Sequence, residues 1–546
     1  MADRADPAAT AGEVVPWWQR GVLYQVYPRS FADSNGDGVG DLPGIVDHLD
    51  HLQWLGVDGI WLGPVTVSPN VDWGYDVADY LAVDPELGTL DDLDRLIAEA
   101  GRRGIRLLMD LVPNHTSDQH PWFVDSRTSR TSIHRNWYVW ADPAPDGSPP
   151  NNWVSSFGGR AWTLDEATGQ YYLHNHLREQ PDLNWWEPAV GEAFDRILAY
   201  WLERGVAGFR IDVCNMIIKD AELRDNPPAL DSDPLDVRIF GQRPEFTSDR
   251  PEVHGVLRRW RSLADRYPGR LLLGETPVPT MDSLARYYGD GTDELHLAFN
   301  FPFLTAPFEA EALRDIVEAS ERALPAGAWP VWTGSNHDLG RLATRWAGGD
   351  RAKARAALVM LLCLRGTPVL YQGDELGLVD TEVPHGAIRD PLGIAYYPHW
   401  AGRDGCRTPM PWRDGPGGGF TGADVPPWLP VGDTGSYNLG DQRDDADSTV
   451  NMVRELIDLR RRQPALHGGS YRSLAAPPDA WAWCRGESLT VLVNLSDDGA
   501  AMNDVEGTVL FGTERRRRGE SVDGGLRVGR WEAVVVDTGT EAGPVR

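Results

Sequence analysis

Eight short β-like runs, separated by helix-like stretches, constrain this chain more than any other feature of its sequence. The runs are Val22 to Tyr27, Gly59 to Leu62, Arg106 to Leu111, Val206 to Ile211, Arg270 to Leu273, Leu295 to Phe299, Pro330 to Thr333 and Pro368 to Tyr371. Each is apolar, bounded by turn residues, and of strand rather than helix length. Between them Ile45, Leu49, Leu52 and Leu55 recur at helical spacing, as do Leu90, Leu93, Leu96, Ile97 and Ala100. Strand and helix alternating about eight times predicts an α/β chain whose parallel sheet closes into a (β/α)8 TIM barrel. A doubly wound sheet is the alternative, but no GxGxxG or GxxxxGK[ST] follows a strand, which weakens its nucleotide-binding form.

Two stretches break the rhythm. Thr116 to about Trp186 is rich in Trp, Pro, Asn and Gly and too long for a connecting loop, so a small inserted domain is expected after strand 3. Val379 to Leu439 is similar, a Gly/Pro-rich excursion after the eighth strand. After a last helix, Val450 to Arg462, the β-rich runs Leu489 to Leu495, Thr508 to Phe511 and Trp531 to Val536 predict a C-terminal antiparallel β-sandwich. The expected domains are a disordered segment 1–16, a barrel over 17–115 and 187–463, an insertion over 116–186 and a β domain over 464–546.

Charge narrows the function classes. The 546 residues carry 52 Lys+Arg against 81 Asp+Glu, a formal charge of −29, which opposes nucleic acid and anionic lipid and suits a small neutral or cationic substrate. The basic run Arg515 to Arg518 reads as a solvated turn. Cys214, Cys363, Cys406 and Cys484 are scattered without CxxC spacing, as reduced thiols would be. Met1 to Val15 lacks the basic start and apolar stretch of a secretory signal. The longest apolar run, Ala356 to Leu364, is about half the roughly 20 residues a membrane span needs. A cytoplasmic location, as a monomer or small homo-oligomer, is expected. The 23 Trp and 16 Tyr suit stacking on sugars, although buried core is their commoner use.

In a barrel the chemistry sits at the C-terminal ends of the strands. Here the third run ends in Asp110-Leu-Val-Pro-Asn114-His115, the fourth in Arg210-Ile-Asp212-Val213, the fifth in Gly274-Glu275-Thr276 and the seventh in Asn336-His337-Asp338. An Asp at one strand end often only caps the next helix. Carboxylates, histidines and an arginine at four ends in barrel order form a catalytic constellation.

These strand ends resemble the motifs of glycoside hydrolase family 13, the α-amylase family, from about Trp17 to Asp537. Gln180-Pro-Asp-Leu-Asn184, Asp72-Trp-Gly-Tyr75-Asp76, Ser156-Phe157-Gly-Gly with Ala161-Trp162, and Arg407-Thr-Pro-Met-Pro-Trp412 are similar to its oligo-1,6-glucosidase and α-glucosidase branch. The resemblance implies a retaining, exo-acting α-glucosidase that releases α-glucose from short α-1,4 or α-1,6 gluco-oligosaccharides, with Asp212 as nucleophile, Glu275 as acid/base and Asp338 as third carboxylate. It assigns substrate contacts to Asp72, Tyr75, His115, His337 and Arg407: Tyr75 stacking under the glucose, the histidines donating to hydroxyls, Asp72 with Arg407 closing the pocket. Arg403 is a second candidate for that closure, and Phe157 lines the leaving-group side, where His176 falls at a position that is Phe in close relatives. Arg210, on the same strand face as Asp212, would hold the nucleophile ionised at a lowered pKa, while the acid must keep a proton near neutrality.

Asp33-Ser-Asn35-Gly-Asp37-Gly-Val39-Gly-Asp41 alternates oxygen side chains around glycines like the start of an EF-hand loop. Asp33, Asn35, Asp37, the Val39 carbonyl and Asp41 would bind Ca2+, or Mg2+, in a structural role that the resemblance supports; a bare Asx-rich turn is the alternative. A transglucosidase or isomerase of the trehalose synthase or sucrose isomerase kind would share the scaffold. A non-catalytic relative, like the heavy chains of amino-acid transporters, would need a membrane helix and lose catalytic carboxylates, the reverse of this chain.

Overall fold

A computed structural model describes residues 15–539; of the expected disordered segment only Val15 and Pro16 fall within them, and 540–546 of the β domain fall outside. Eight strands follow the eight runs: β1 (Leu23–Val26), β2 (Gly59–Leu62), β3 (Arg106–Leu111), β4 (Gly208–Ile211), β5 (Leu271–Gly274), β6 (Leu297–Ala298), β7 (Val331–Thr333) and β8 (Thr367–Tyr371). They pair in parallel in the order β6-β5-β4-β3-β2-β1-β8-β7. A parallel bridge from Phe299 to Val331 joins the two edges and closes the barrel. Both faces of these strands are covered, so they read as continuous apolar runs. Leu23, Trp61, Leu108, Leu273 and Val369 pack together in the interior, while Tyr24, Ile60, Leu107, Phe209 and Leu272 join the core under the helices. That period of two carries upward: the face of Leu108 continues at Asp110, that of Gly208 at Arg210 and Asp212, that of Leu273 at Glu275.

Gly208 is required where it stands. Its φ is +148°, and a Cβ there would lie 1.9 Å from the Leu271 carbonyl oxygen, so β4 could not approach β5 with any other residue.

The helix over Leu90–Arg102 forms with a capping box between Thr89 and Asp92. The helical repeat from Ile45 to Leu55 is two helices, Leu42–Asp47 and Leu49–Leu55, broken at His48, whose ring bonds back to Gly44 O at 2.8 Å. The inserted segment contributes a three-stranded antiparallel sheet from Trp140–Ala141, Gln170–Leu173 and Trp162–Asp165.

At the C-terminal end six strands between Tyr471 and Asp537 form an antiparallel sheet, and Ala500–Asn503 pairs with Gly525–Val528 in a ribbon. Ala482, Leu492 and Val534 face Leu526 and Val528 of the ribbon. Trp481, Trp483, Val491 and Val535, on the opposite face, enter the barrel core. Arg460 and Arg485 seal this junction by donating to Leu362 O, Cys363 O and Gly366 O at the end of helix Arg351–Cys363, where the helix has carbonyls to spare. The basic run is more than a solvated turn: Arg515 pairs with Glu455 of the last barrel helix, and Arg517 with Glu520 and Glu532. Among the described residues no helix is long and apolar enough to cross a membrane, and Cys214, Cys363, Cys406 and Cys484 are all free.

Candidate active site

The ends of β3, β4 and β5 meet around one guanidinium. Arg210 Nη1 lies 2.8 Å from Asp110 Oδ1 and 2.8 Å from Asp212 Oδ1, and Nη2 lies 2.8 Å from Glu275 Oε2. Its Cζ sits 4.8 Å from the centre of the Trp61 ring. Asp110, quoted in the sequence but given no role there, also accepts from Trp61 Nε1 at 3.1 Å and Tyr75 Oη at 3.0 Å. Glu275 Oε2 takes a second donor, the Val213 N–H at 2.8 Å. Val213 reaches it from a backbone φ of +33°, a left-handed conformation that β-branched residues avoid at a cost on the order of 1–3 kcal/mol.

Above this floor is a pocket of about 230 Å³, which takes in Asp72, Tyr75, Phe157, Asp212, Glu275 and Asp338. The turn that presents Asp72 and Tyr75 is braced by Asp76, which accepts from Val71 N, Asp72 N and Ser68 Oγ. The far wall needs a correction. Arg403, not Arg407, closes it: Arg403 Nη2 lies 2.8 Å from Asp72 Oδ1 and 2.7 Å from Asp390 Oδ1, and Nη1 lies 3.0 Å from Asp338 Oδ1. Arg407 is fully buried behind it, donating to Asp338 Oδ1 and His337 O, both at 2.8 Å. Phe157 lines the pocket with the Arg403 guanidinium 5.5 Å from its ring and His176 edge-on at 5.8 Å.

His115 lines the pocket, but Tyr75 O and Gln180 Nε2 both lie 3.0 Å from its Nε2. His337 was expected to donate to the sugar; it stands behind Tyr75 instead, stacked at 5.4 Å, with Nε2 bonded to Tyr75 Oη and Nδ1 2.7 Å from Gln25 Nε2. Gln180, known from sequence only as part of a motif, also donates to Asp72 Oδ2 at 3.1 Å and so ties the inserted segment to the pocket.

The electrostatics separate two kinds of carboxylate. Burial drives Asp212 well above the ordinary carboxylate range; Arg210 opposes this, but Glu275, Asp110 and Asp338 add to it. Asp110 is pushed up to about 6 by burial working against the same arginine. The expected lowering of the Asp212 pKa is therefore reversed, because burial and the neighbouring anions outweigh a guanidinium shared among three carboxylates. Asp338 behaves oppositely. Burial alone would raise it, yet His337 with Arg403 and Arg407 holds it well below the usual range. Since burial brings His337 itself down to about 3, the two guanidiniums hold Asp338 ionised at neutral pH.

The Asp33 to Asp41 loop lies apart from this pocket. Asp33, Asn35 and Asp37 each accept from the N–H two residues on, at 3.1, 2.9 and 2.8 Å, over turns at Gly36 and Gly38 with φ of +79° and +91°. The partners of Asp33 and Asp41 are N–H groups and hydroxyls, with Asp41 also capping helix Leu42–Asp47 through Gly44 N. Three anions and two neutral oxygens with no cation among these partners fit a hard metal ion in donor type and charge. Among the described residues the group that brings acidic or imidazole ligand atoms within 4.8 Å of one another is His115, His176 and Asp182 instead. That place is already held by a cation, the Lys219 ammonium 2.7 Å from Asp182 Oδ2.

A closed parallel barrel with acidic residues at the ends of adjacent strands and a pocket above them defines the class, a barrel glycosidase. The Alpha amylase catalytic domain model matches residues 25–469. A probable alpha-glucosidase of Rhizobium meliloti (strain 1021) is 43% identical over 503 residues, 89% of this chain and 90% of that one. An oligo-1,6-glucosidase of Halalkalibacterium halodurans is 37% identical over 521 residues, 88% of this chain and 90% of that one. The crystal structure of the alpha-glucosyl transfer enzyme XgtA superposes with a TM-score of 0.91 at 41% identity, covering 96% of this chain and 99% of that one. The chain belongs to the α-amylase family, glycoside hydrolase family 13, and is an enzyme of glycoside hydrolysis.

Burial lowers His115, His176 and His337 each to about 3. The three imidazoles are accordingly neutral at every pH above that value. Their ring carbon signals, assigned in labelled protein by single His→Gln variants, should stay flat between pH 5 and 8; a titration near the ordinary 6.5 in any of them would contradict the burial argument.

Proposed function

We propose that this protein is a retaining, exo-acting α-glucosidase that releases α-glucose from the non-reducing end of short α-1,4 or α-1,6 gluco-oligosaccharides. The observation that carries the reading is a pocket of about 230 Å³ ended by the Arg403 guanidinium, with Asp212 and Glu275 on adjacent strands at its floor. One hexose fills such a space, and no chain threads past an arginine pinned by three aspartates.

Asp212 attacks the anomeric carbon while Glu275 gives its proton to the departing glycosidic oxygen, which forms a covalent glucosyl ester and frees the second sugar. Water then adds to the anomeric carbon, Glu275 takes the water proton, and the ester bond to Asp212 breaks with the α configuration restored. Two donors occupy Glu275 Oε2, so Oε1 is the oxygen free to carry the proton. Sharing of Arg210 between the two side chains supports the short separation, roughly 5 to 5.5 Å, of retaining pairs. Asp338, ionised beside Arg403 and Arg407, accepts from sugar hydroxyls as positive charge develops on the ring. When a sugar hydroxyl replaces the water the same ester yields a transfer product, and the likeness to a glucosyl transfer enzyme supports that second outcome.

Asp212→Asn and Glu275→Gln should fold as the parent does and lose at least 10²- to 10⁴-fold in turnover. Near-normal activity of either purified variant would remove the assignment, and β-glucose as the first product in NMR would exclude retention.

The blind wall predicts glucose as the single product from isomaltose and maltose and poor activity on soluble starch. Val213 borders the pocket beside the leaving group, where the resemblance links Val to α-1,6 and Thr to α-1,4 cleavage. A methyl-for-hydroxyl change of that kind biases linkage by roughly 1–3 kcal/mol. Isomaltose cleavage should therefore be present. Starch cleaved faster than disaccharides would refute the closed wall, and undetectable isomaltose cleavage would refute the role of Val213.

We propose also that the Asp33 to Asp41 loop holds Ca2+, or Mg2+ in its place, as a structural ion. Added Ca2+ should raise the melting temperature of chelator-treated protein, by an amount equivalent to about 2.7 kcal/mol at a hundredfold excess over Kd, and Asp37→Ala should abolish the gain. Identical melting with and without either ion would leave a plain turn.

A further inference from the structure

The interior of a parallel barrel is filled mainly by apolar side chains, yet β1 turns a glutamine inward. Gln25 follows Leu23 on the interior face and is buried, in register with Trp61 of β2 and Tyr371 of β8. Its Nε2 lies 2.7 Å from His337 Nδ1, and its Oε1 has no partner among the described residues. A buried amide that leaves its oxygen unpaired adds little to stability. The half of the amide that is used is the nitrogen, and its partner is the histidine behind the catalytic pocket.

The direction of the protons follows from where this chain of hydrogen bonds ends. His337 Nε2 faces Tyr75 Oη and, at 3.3 Å, Asp338 Oδ2. Tyr75 Oη in turn lies 3.0 Å from Asp110 Oδ2. An ionised carboxylate can only accept, and Arg403 and Arg407 keep Asp338 ionised. The proton of neutral His337 therefore belongs on Nε2, which donates towards Asp338 and Tyr75, while Tyr75 gives its own proton to Asp110. Nδ1 is left a bare acceptor, and the donor that meets it is Gln25 Nε2. With the proton on Nδ1 instead, a lone pair on Nε2 would confront the Asp338 carboxylate, and Tyr75 would turn its proton away from Asp110. The ring is held by its faces as well, stacked on Tyr75 at 5.4 Å and on Tyr27 at 5.6 Å. Stacking leaves rotation within the ring plane free, and that is the motion the Gln25 bond stops.

We infer that Gln25 is a positioning residue of the active site: by donating to Nδ1 it fixes the tautomer of His337 and the angle of its ring, and through that ring it sets the Tyr75 side chain and the Asp338 carboxylate. β1, which supplies none of the carboxylates, enters the site in this way. The effect on turnover rests on the α-glucosidase reading, whereas the effect on the tautomer does not.

Imidazole nitrogen NMR of labelled protein at neutral pH, with His337 assigned through its Gln variant, should show a pyridine-type Nδ1 and a pyrrole-type Nε2. The reverse pattern, or two pyrrole-type nitrogens, overturns the inference. Gln25→Leu, which removes the donor, should lower kcat on isomaltose or maltose roughly tenfold or more, and parental kcat in this variant overturns the inference too. Gln25→Glu tests the donor itself, since a protonated carboxyl donates to Nδ1 as the amide does and an ionised one demands a proton there. Its turnover must follow its Nδ1 signal: near the parent's with a pyridine-type Nδ1, lost with a pyrrole-type one. Either mismatch, in a variant of unchanged melting, overturns the inference. If Gln25→Leu melts lower than the parent, Gln25→Glu carries the comparison. A parent inert on both disaccharides would instead overturn the α-glucosidase reading, with the tautomer still decided by the spectra.

Discussion

The site depends on one buried cation with more anions around it than it can neutralise. Desolvating Arg210 is expensive unless charges meet it, and three strands supply them at its two ends: Asp110 and Asp212 on Nη1, Glu275 on Nη2. Because the period of two along each strand turns these residues inward at the C-terminal end, closing the barrel brings the cluster together, and the Tyr75 hydroxyl and the Val213 N–H add donors from the connecting loops. Burial and the surplus of negative charge together push Asp212 and Asp110 above the ordinary carboxylate range, against the pull of the shared guanidinium.

Around the cluster the structure tolerates strain where it directs a hydrogen bond. Val213 occupies a backbone conformation that suits glycine, and its N–H is thereby aimed at Glu275 Oε2 while the next N–H, of Cys214, donates to the Glu275 carbonyl at 3.0 Å. The strand end after β4 is thus bent onto the end of β5. Relaxing that turn would release strain but free the glutamate side chain from one of its two donors.

The barrel was legible in the sequence because each strand is buried on both faces, and an apolar run between turn residues is then a sufficient signal. The carboxylates were legible for the complementary reason, since a charged residue continuing such a run has to be accommodated at the strand end. Arg403 and Arg407 were harder. They lie in a segment with no strand or helix period to say which side chain faces the pocket, and only the fold puts the first among Asp72, Asp338 and Asp390 and the second behind it. His337 had the right neighbours in sequence, yet its ring is turned to Tyr75 by a contact 262 positions apart in the chain. The three-way sharing of Arg210 likewise depends on Asp110, 100 positions before it, so the direction of the Asp212 shift could not be read from the Arg210-Ile-Asp212 triplet alone.

The pocket ends on a side chain that belongs to the excursion after β8 and not to the barrel. In the proposed mechanism bond cleavage rests on strand ends set by sheet closure, while substrate depth rests on a loop whose Arg403 and Arg407 also hold the Asp338 carboxylate. On the reading proposed above, a lineage with this barrel could pass between clipping chain ends and gripping chain middles by exchanging that segment, so long as the replacement still supplies a cation to Asp338.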